Sequence, residues 1–466
     1  MTRARRWTRV LALALAVLGA RASEVRRHVA SAATRARSTM VLDGYFADAR
    51  AGTLGFTHDA ATEAARASTD GVSSTDVGAP GMIYARVFDE DGDSTFRLGA
   101  EDAVSVAMTA APSGTRYWSM TTYAYRRGGR VVMAQCSWPV NSANALVGVN
   151  DSVVIVATRS MDAYEKVKAA YAEAGFDETS INLAPMYEDV RYGDGLDADV
   201  LSISFRVAFW PNEGQNASTG DALGEWSKST WPAIFSRRAR ASRYPRMAVP
   251  ESSPPPAINA STLSTQKVSY QEPYPSSFPS VIIGGGSARR IGRTILEPMS
   301  FDSRRCIIDP FYSPWRSYGV RVRSGCFGAT SDALYSISRD FISRMELTTE
   351  WLIIARGSEL VSARRATFTN IALYATGGII SNSISARDIR IIAAVDDRSF
   401  NARSDEFVVA FGSSIAACRR VTCACVVARD APRRSSMFII ARDYVDPRTA
   451  TAPISRPEID VRVFAL

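Results

Sequence analysis

Short apolar stretches separated by turn-forming residues run through most of the chain, and few segments show helical spacing. In "VLSISFRVAFW" the side chains Leu201, Ile203, Phe205, Val207 and Phe209 alternate with small or polar ones, which is typical of a strand with one buried face. The same kind of signal recurs in "EWLIIAR", "ATFTNIALYA", "IRIIAAV", "EFVVAFG", "SMFIIARDYV" and "IDVRVFAL". These patterns predict a mainly β (α+β) protein with two domains that resemble β-sandwiches or jelly rolls.

One segment has a clear helical pattern. After the apolar stretch "SVVIVATR", Asp162 and Glu165 have the spacing of an N-terminal capping box. Tyr164, Val167, Tyr171 and Ala174 form an apolar stripe, and Gly175 provides a stop. The sequence therefore predicts one helix inserted between the strands of the first domain.

The stretch "GTRYWSMTTYAYRRGGRVVMAQCSW" predicts a hairpin that turns at two glycines, Gly128 and Gly129. Aromatic side chains occupy both faces of its first strand. We consider two explanations: one face binds sugar rings by stacking, or the aromatic residues only pack two sheets together. The residues predicted to contact a ligand are Tyr117, Tyr123 and Tyr125, with Arg126 and Arg127 at the rim.

Composition changes mark the boundaries of the segments. Residues 23–77 are rich in Ala, Arg and Ser with few large apolar side chains, and residues 237–280 are basic and then rich in Pro and Ser. The predicted organisation is a signal peptide (1–22), a partly disordered leader (23–77), a β-sandwich domain with an inserted helix (78–236), a linker (237–280) and a second β-sandwich domain (281–466).

The N-terminus has the layout of a secretory signal peptide. Four arginines precede an apolar stretch from Val10 to Ala20, and Ala20-Arg21-Ala22 fits a cleavage site. The predicted location is therefore extracellular, with no transmembrane segment in the mature chain, because the apolar stretch is about half the length that spans a bilayer. An alternative is import into a plastid or another organelle, since Glu24 is the one acid between Met1 and Met40.

Cysteines and sequons fit an exported glycoprotein. The six cysteines are even in number, and the short-range disulfide candidates are Cys306 with Cys326, and Cys418 with Cys423 or Cys425. Free buried cysteines are the other explanation. Candidate glycosylation sites are Asn150, Asn216 and Asn259.

Charge and histidine content exclude some classes of function. The net charge is +8, but nearly all basic residues are arginines spread along the whole chain, so nucleic acid is not an expected partner. His28 and His58 are the two histidines, which are too few for a histidine-based zinc site. Both precede residue 78, so a Ser-His-Asp or Cys-His catalytic site is not expected either.

Acidic residues provide the remaining candidate chemistry. "MIYARVF" and "STFRLG" flank "DEDGD", which predicts a hairpin, and the alternating Asp89, Asp91 and Asp93 could bind calcium although the spacing of an EF-hand is not met. No other cofactor is predicted. Acids that could serve a carbohydrate-active enzyme occur in a loop and after "IIAAV": Glu188, Asp189, Asp194, Asp197, Asp199, Asp396 and Asp397.

Several segments, in order along residues 80–466, resemble an uncharacterised family of secreted proteins of microalgae and oomycete-like organisms. They are "GTRYWSMTTYAYRR", "SVVIVATR" with its helix and "INLAPM", "EWLIIARGSELVSARRATFTNIALYA", "AAVDDRSF" and "ARDYVDPRTATAPISRPEIDVRVF". The hairpin is also similar to one in a bacterial envelope β-sandwich domain of unknown function. The resemblance implies architecture and export, but no activity. Relatives tend to have Asn-His after the "WLII" strand, where this chain has Ser358-Glu359.

Together these observations predict a secreted or cell-surface binding or structural protein that contacts extracellular polysaccharide. The alternatives are a carboxylate-dependent carbohydrate-active enzyme and a plastid-targeted structural protein.

Overall fold

A computed structural model provides the fold of the protein. The structure describes residues 23–56, 82–111, 115–209, 226, 229–238, 289–299, 302–309, 312, 314, 326, 329–338, 350–358, 360–361, 364–376, 389–396, 406–428, 437–453 and 458–466. The signal peptide predicted at residues 1–22 and nearly all of the linker predicted at 237–280 lie outside these residues. Within them the protein is mainly β with two β-rich domains, which confirms the predicted fold class.

The first domain is built on one large sheet. Its strands are β1 (Phe46–Phe56), β2 (Met82–Phe88), β3 (Ala103–Thr109), β4 (Thr115–Arg127), β5 (Arg130–Gln135), β6 (Val140–Asn141), β7 (Ser152–Thr158), β8 (Ile181–Pro185), β9 (Val200–Phe209) and β10 (Trp231–Arg238). They are arranged in the order β5-β4-β9-β2-β1-β10-β3-β7-β8, with β6 paired to β4. All neighbours are antiparallel except β7 and β8, which are parallel and joined by a helix.

Among the described residues, two long helices accompany this sheet. Helix α1 covers residues 23–42, and helix α2 is Met161–Glu173. The apolar stripe predicted for α2 is mostly correct, since Val167 and Tyr171 are buried and Gly175 follows with a φ of 98°. The predicted capping residue is wrong: Ser160, not Asp162, accepts the hydrogen bond from the Ala163 N–H.

Residues 23–56 belong to the first domain, although the sequence placed them in a leader ending at residue 77. Strand β1 pairs with both β2 and β10 in the middle of the sheet. Val29 and Met40 of α1 are buried, and the Ser236 hydroxyl on β10 contacts the sulfur of Met40. The domain therefore begins well before the boundary predicted at residue 78.

The second domain is a sandwich of two layers that share one long strand. Its strands are β11 (Arg289–Met299), β12 (Ala333–Ile337), β13 (Trp351–Ser358), β14 (Phe368–Thr376), β15 (Ile389–Asp396), β16 (Glu406–Gly412), β17 (Ala424–Val427), β18 (Met437–Tyr444) and β19 (Ile459–Ala465). Their order is β15-β14-β18-β12-β11-β19-β13-β16-β17. The first half of β11 pairs with β19 and its end pairs with β12, so β11 connects the layers.

Strand alternation explains the core of this sandwich. Ile371 on β14 and Ile439 on β18 point inward from one layer, and Ile353, Phe411 and Val461 point inward from the other. Short helices α3 (Ser303–Ile308) and α4 (Ile415–Cys418) complete the described elements. The six strands predicted from "EWLIIAR" to "IDVRVFAL" are all present as β13, β14, β15, β16, β18 and β19.

Among the described residues, every helix is too short or too polar to span a bilayer.

Candidate functional site

The two domains meet sheet against sheet. On β4, Trp118 and Met120 face the interior of the first domain, and the opposite face turns towards the second domain. On β18, the residues Phe438, Ile440 and Tyr444 lie on the face opposite the sandwich core and join the same buried cluster as β4. One continuous core therefore links the domains, and the face of the hairpin predicted to bind sugar is part of it.

The tyrosines of that face are covered, so the prediction that they form an open sugar-binding surface is wrong for two of them. Tyr117 is fully buried, its ring centroid lies 4.9 Å from that of Tyr444, and its hydroxyl donates to Asp332 Oδ2 at 2.6 Å. Tyr123 is 7% exposed. Burial raises the pKa of both phenols, which therefore stay neutral at physiological pH.

A buried ion pair lies at the centre of this interface. Arg206 Nη2, on β9, is 3.2 Å from Asp332 Oδ1, and the two side chains are 4% and 1% exposed. The same nitrogen also donates to the hydroxyls of Ser119 and Thr330 at 2.8 Å and 3.2 Å. Thr330 in turn donates to Asp332. Because these partners come from both domains, separating the domains would leave charged groups without partners.

Arg127 forms a second cross-domain contact instead of a rim for ligands. Its guanidinium donates to Asp199 at 2.6 and 2.8 Å, to the Asp189 carbonyl at 2.6 Å, and to the carbonyl of Ile307 on α3 at 2.6 Å. Asp189 also accepts from Arg304 at 2.8 Å. This role of Arg127 corrects the prediction. It also gives Asp189 and Asp199, two acids considered for catalysis, a structural explanation.

Tyr125 and Arg126 remain at the surface. Arg126 is exposed, Tyr125 is half-buried, and the guanidinium carbon lies 5.5 Å from the centre of the tyrosine ring. The turn glycines beside them, Gly128 and Gly129, have φ angles of 52° and 77°, as the predicted hairpin requires. Of the five predicted ligand residues, these two can reach an outside partner.

A second buried arginine faces the first domain from β18. Arg442 is 5% exposed, and its guanidinium carbon lies 5.6 Å from the ring centre of Tyr335 and 5.4 Å from that of Tyr374. Among the described residues no carboxylate forms a salt bridge with Arg442. Each desolvated cation–π contact is worth about 2 kcal/mol, whereas burying an unpaired ion costs several. No sequence motif identified this cluster; the one available signal was an arginine in the apolar strand "SMFIIARDYV".

The predicted calcium turn is formed by its own hydrogen bonds. Asp89 Oδ1 accepts from the backbone N–H groups of Asp91 and Asp93 at 3.1 and 2.8 Å, and Gly92 has a φ of 84°. Within the described part of the chain, no acidic, histidine or cysteine side chains form a metal-binding group. The hairpin predicted around this turn is wrong, because Phe96 pairs with Leu201 of β9 and not with β2.

Two disulfides are present. Cys306–Cys326 joins cysteines 20 residues apart, and Cys418–Cys425 joins cysteines 7 residues apart, which confirms one predicted pair and resolves the choice for Cys418. Cys423 is not bridged, so its place among the disulfide candidates was wrong. The first bridge lies beside the hairpin, since the Cys326 N–H donates to the Val132 carbonyl at 3.1 Å. In the chain-entropy model such a loop closure contributes about 3 kcal/mol.

The remaining predicted residues are less informative. Asn150 lies in a short 3-10 turn between the exposed residues Val149 and Asp151, and Asn216 and Asn259 lie outside the described residues. His28 is on the exposed face of α1, and His58 is outside the described residues.

Comparison with known proteins identifies no family. No protein-family model matches the chain, and no curated protein matches it. An uncharacterised protein from Burkholderia cenocepacia has a TM-score of 0.40 and 12% identity, covering 95% of this chain and 89% of that one. The VPA0106 protein from Vibrio parahaemolyticus has a TM-score of 0.33 and 11% identity, covering 82% and 88%. The resemblance to a secreted microalgal family stays a prediction.

Proposed function

We propose that this protein is an exported binding or structural protein whose two β domains act as one rigid body. The observation that carries the proposal is the buried pair of Arg206 and Asp332, which joins the two sheets across the domain interface. A single rigid body suits a protein that holds or presents a surface. The two disulfides support export, because disulfides persist in oxidising compartments.

The proposed ligand class is extracellular polysaccharide, bound at the tip of the β4–β5 hairpin. Tyr125 and Arg126 project from the part of the hairpin that the second domain leaves uncovered. An aromatic face stacks on a sugar ring, and a guanidinium donates to hydroxyl or carboxylate oxygens. The buried tyrosines Tyr117 and Tyr123 then support the hairpin from behind.

Export is tested by peptide-level mass spectrometry of the protein isolated from its own cells, without reduction and with or without deglycosylation. We expect a mature N-terminus at Ser23, bridged Cys306–Cys326 and Cys418–Cys425 peptides, and a glycan on Asn150. A start near residue 40 would remove most of α1, so such a product with free thiols would contradict export and favour the plastid alternative.

Polysaccharide binding is tested by native electrophoresis in gels that contain individual cell-wall polysaccharides. We expect one of them to retard the protein and Tyr125→Ala to weaken this binding by about three- to tenfold, because a stacking contact is removed. Tyr312→Ala is the matched control, since Arg305 also lies over the Tyr312 ring, at 4.5 Å. Equal retardation of both variants, or none for the wild-type protein, would contradict the proposed ligand.

A further inference from the structure

The domain interface contains buried hydrogen-bond donors without partners. In the part of the chain that the structure describes, Arg206 Nε, Arg442 Nη1 and the Tyr374 hydroxyl are buried and form no hydrogen bond. Arg442 and Tyr374 are close enough to interact electrostatically, yet no hydrogen bond of normal geometry joins them. Buried polar groups in folded proteins nearly always have partners, so these three donors need an explanation.

The charges of the interface do not balance. Arg206 is neutralised by Asp332, but Arg442 has no carboxylate partner among the described residues. The neighbouring Asp443 is bound to the Thr369 hydroxyl at 2.6 Å. A water molecule could accept the hydrogen bonds of Arg442 but would leave its charge uncompensated. Two tyrosine faces offset only part of the cost of burying that charge.

The side chains around Arg442 are suited to an anion. Burial raises the pKa of Tyr335 to about 12, and it also raises the pKa of Tyr374 and Tyr444. These phenols are therefore protonated at neutral pH and can donate hydrogen bonds. Tyr84, on β2 of the first domain, lies close enough to Arg442 to influence the pKa of the guanidinium. Guanidinium and phenol groups are typical hydrogen-bond donors to oxyanions, and the guanidinium carbon of Arg442 lies 5.6 and 5.4 Å from the ring centres of Tyr335 and Tyr374.

We propose that a small oxyanion, either inorganic phosphate or sulfate or a carboxylate, binds between the two domains at Arg442 and Tyr374. Such an anion would accept hydrogen bonds from Arg442 and Tyr374 and would supply the missing negative charge. The burial of Arg442 limits the ligand to a small ion or to the anionic end of a small molecule, and excludes a polymer chain. Because residues from both domains lie around Arg442, a bound anion would also stabilise the contact between the domains.

Isothermal titration of the full chain, dialysed into anion-poor buffer, tests the site with sodium phosphate, sodium sulfate and sodium acetate as separate probes. We expect saturable 1:1 binding of at least one probe. Arg442→Gln should weaken it by about tenfold or more, and Tyr374→Phe by about threefold to tenfold. Arg27→Gln, which removes an exposed arginine from α1, should bind as the wild-type protein does. Stronger binding of acetate would identify a carboxylate ligand, and stronger binding of phosphate or sulfate an inorganic one.

A crystal grown with sodium selenate provides the second measurement and does not depend on the variants. We expect an anomalous selenium peak within hydrogen-bond distance of Arg442 Nη1. Far-ultraviolet circular dichroism first establishes that each variant is folded, and Tyr374→Phe replaces Arg442→Gln if the latter is not. No saturable binding of any probe, unchanged binding in the folded variants, or selenate only elsewhere on the surface would overturn the proposal.

Discussion

Replacing Asp332 with alanine is expected to lower the free energy of unfolding by about 3–5 kcal/mol, because the buried Arg206 loses its counterion. The carboxylate also accepts hydrogen bonds from Tyr117 and Thr330, so three buried groups lose an acceptor at once. These groups come from both domains, so the substitution weakens the contact between the domains. Urea denaturation of the variant and the wild-type protein measures the difference.

The matched control for this substitution is Asp48→Ala. Asp48 pairs with Arg50 near the start of β1, where both side chains are about half exposed, and surface pairs contribute about 0–1 kcal/mol. The double variant Arg206→Met with Asp332→Leu should recover much of the loss, since apolar side chains of similar size carry no desolvation cost. A loss below about 1 kcal/mol for Asp332→Ala would mean that the ion pair does not hold the domains together.

Phe411→Ala is expected to cost about 3–5 kcal/mol as well, for a different reason. Phe411 lies on β16, is fully buried and belongs to the sandwich core of the second domain, apart from the cluster that crosses the interface. Truncation would leave a cavity among close-packed side chains. The control is Ile415→Ala on the neighbouring α4, because Ile415 is 64% exposed and its loss should change stability by less than about 0.5 kcal/mol.

The alternation of side chains predicted which residues share a strand face, but it could not predict what covers that face. The alternation correctly predicted that Leu201, Ile203 and Phe205 of β9 point into the core of the first domain. It also correctly separated the two faces of β4, one of which carries Tyr117. The partner of Tyr117 is Asp332, which lies 215 residues further along the chain. A contact of that separation leaves no local pattern, so the sequence left open whether this face binds sugar or packs two sheets together.

Strand β1 shows another limit of local patterns. "FADARAGTLGF" contains small and charged residues, so it lacks the β-branched alternation by which strands are identified. Packing requires a residue without a side chain at one position of β1. A Cβ added to Gly52 would lie 2.5 Å from Phe235 Cε2 and 2.5 Å from the Phe88 carbonyl oxygen. The central position of the strand is thus set by its neighbours, which the sequence of β1 alone does not contain.

The spacing of the cysteines reduced the number of candidate disulfide pairs but did not identify which pairs form. Cys423 and Cys425 are two residues apart, and both are close enough to Cys418 in sequence to be its partner. The choice depends on the register of β17, which begins at Ala424 and brings Cys425 to Cys418 on α4. The cluster around Arg442 and Tyr374 likewise forms only where strands from both domains meet. No single segment of the sequence therefore predicts it.

The central claim, that the two domains form one rigid and cooperative body, is tested most directly by hydrogen–deuterium exchange of Phe411→Ala with peptide resolution. In a single cooperative unit, a cavity in the second domain lowers the protection of all slowly exchanging amides by the same free energy. We therefore predict that protection falls equally in β16 and in β9 of the first domain (Val200–Phe209), and is unchanged in Ile415→Ala. A loss confined to the second domain, with β9 as protected as in the wild-type protein, would contradict the account.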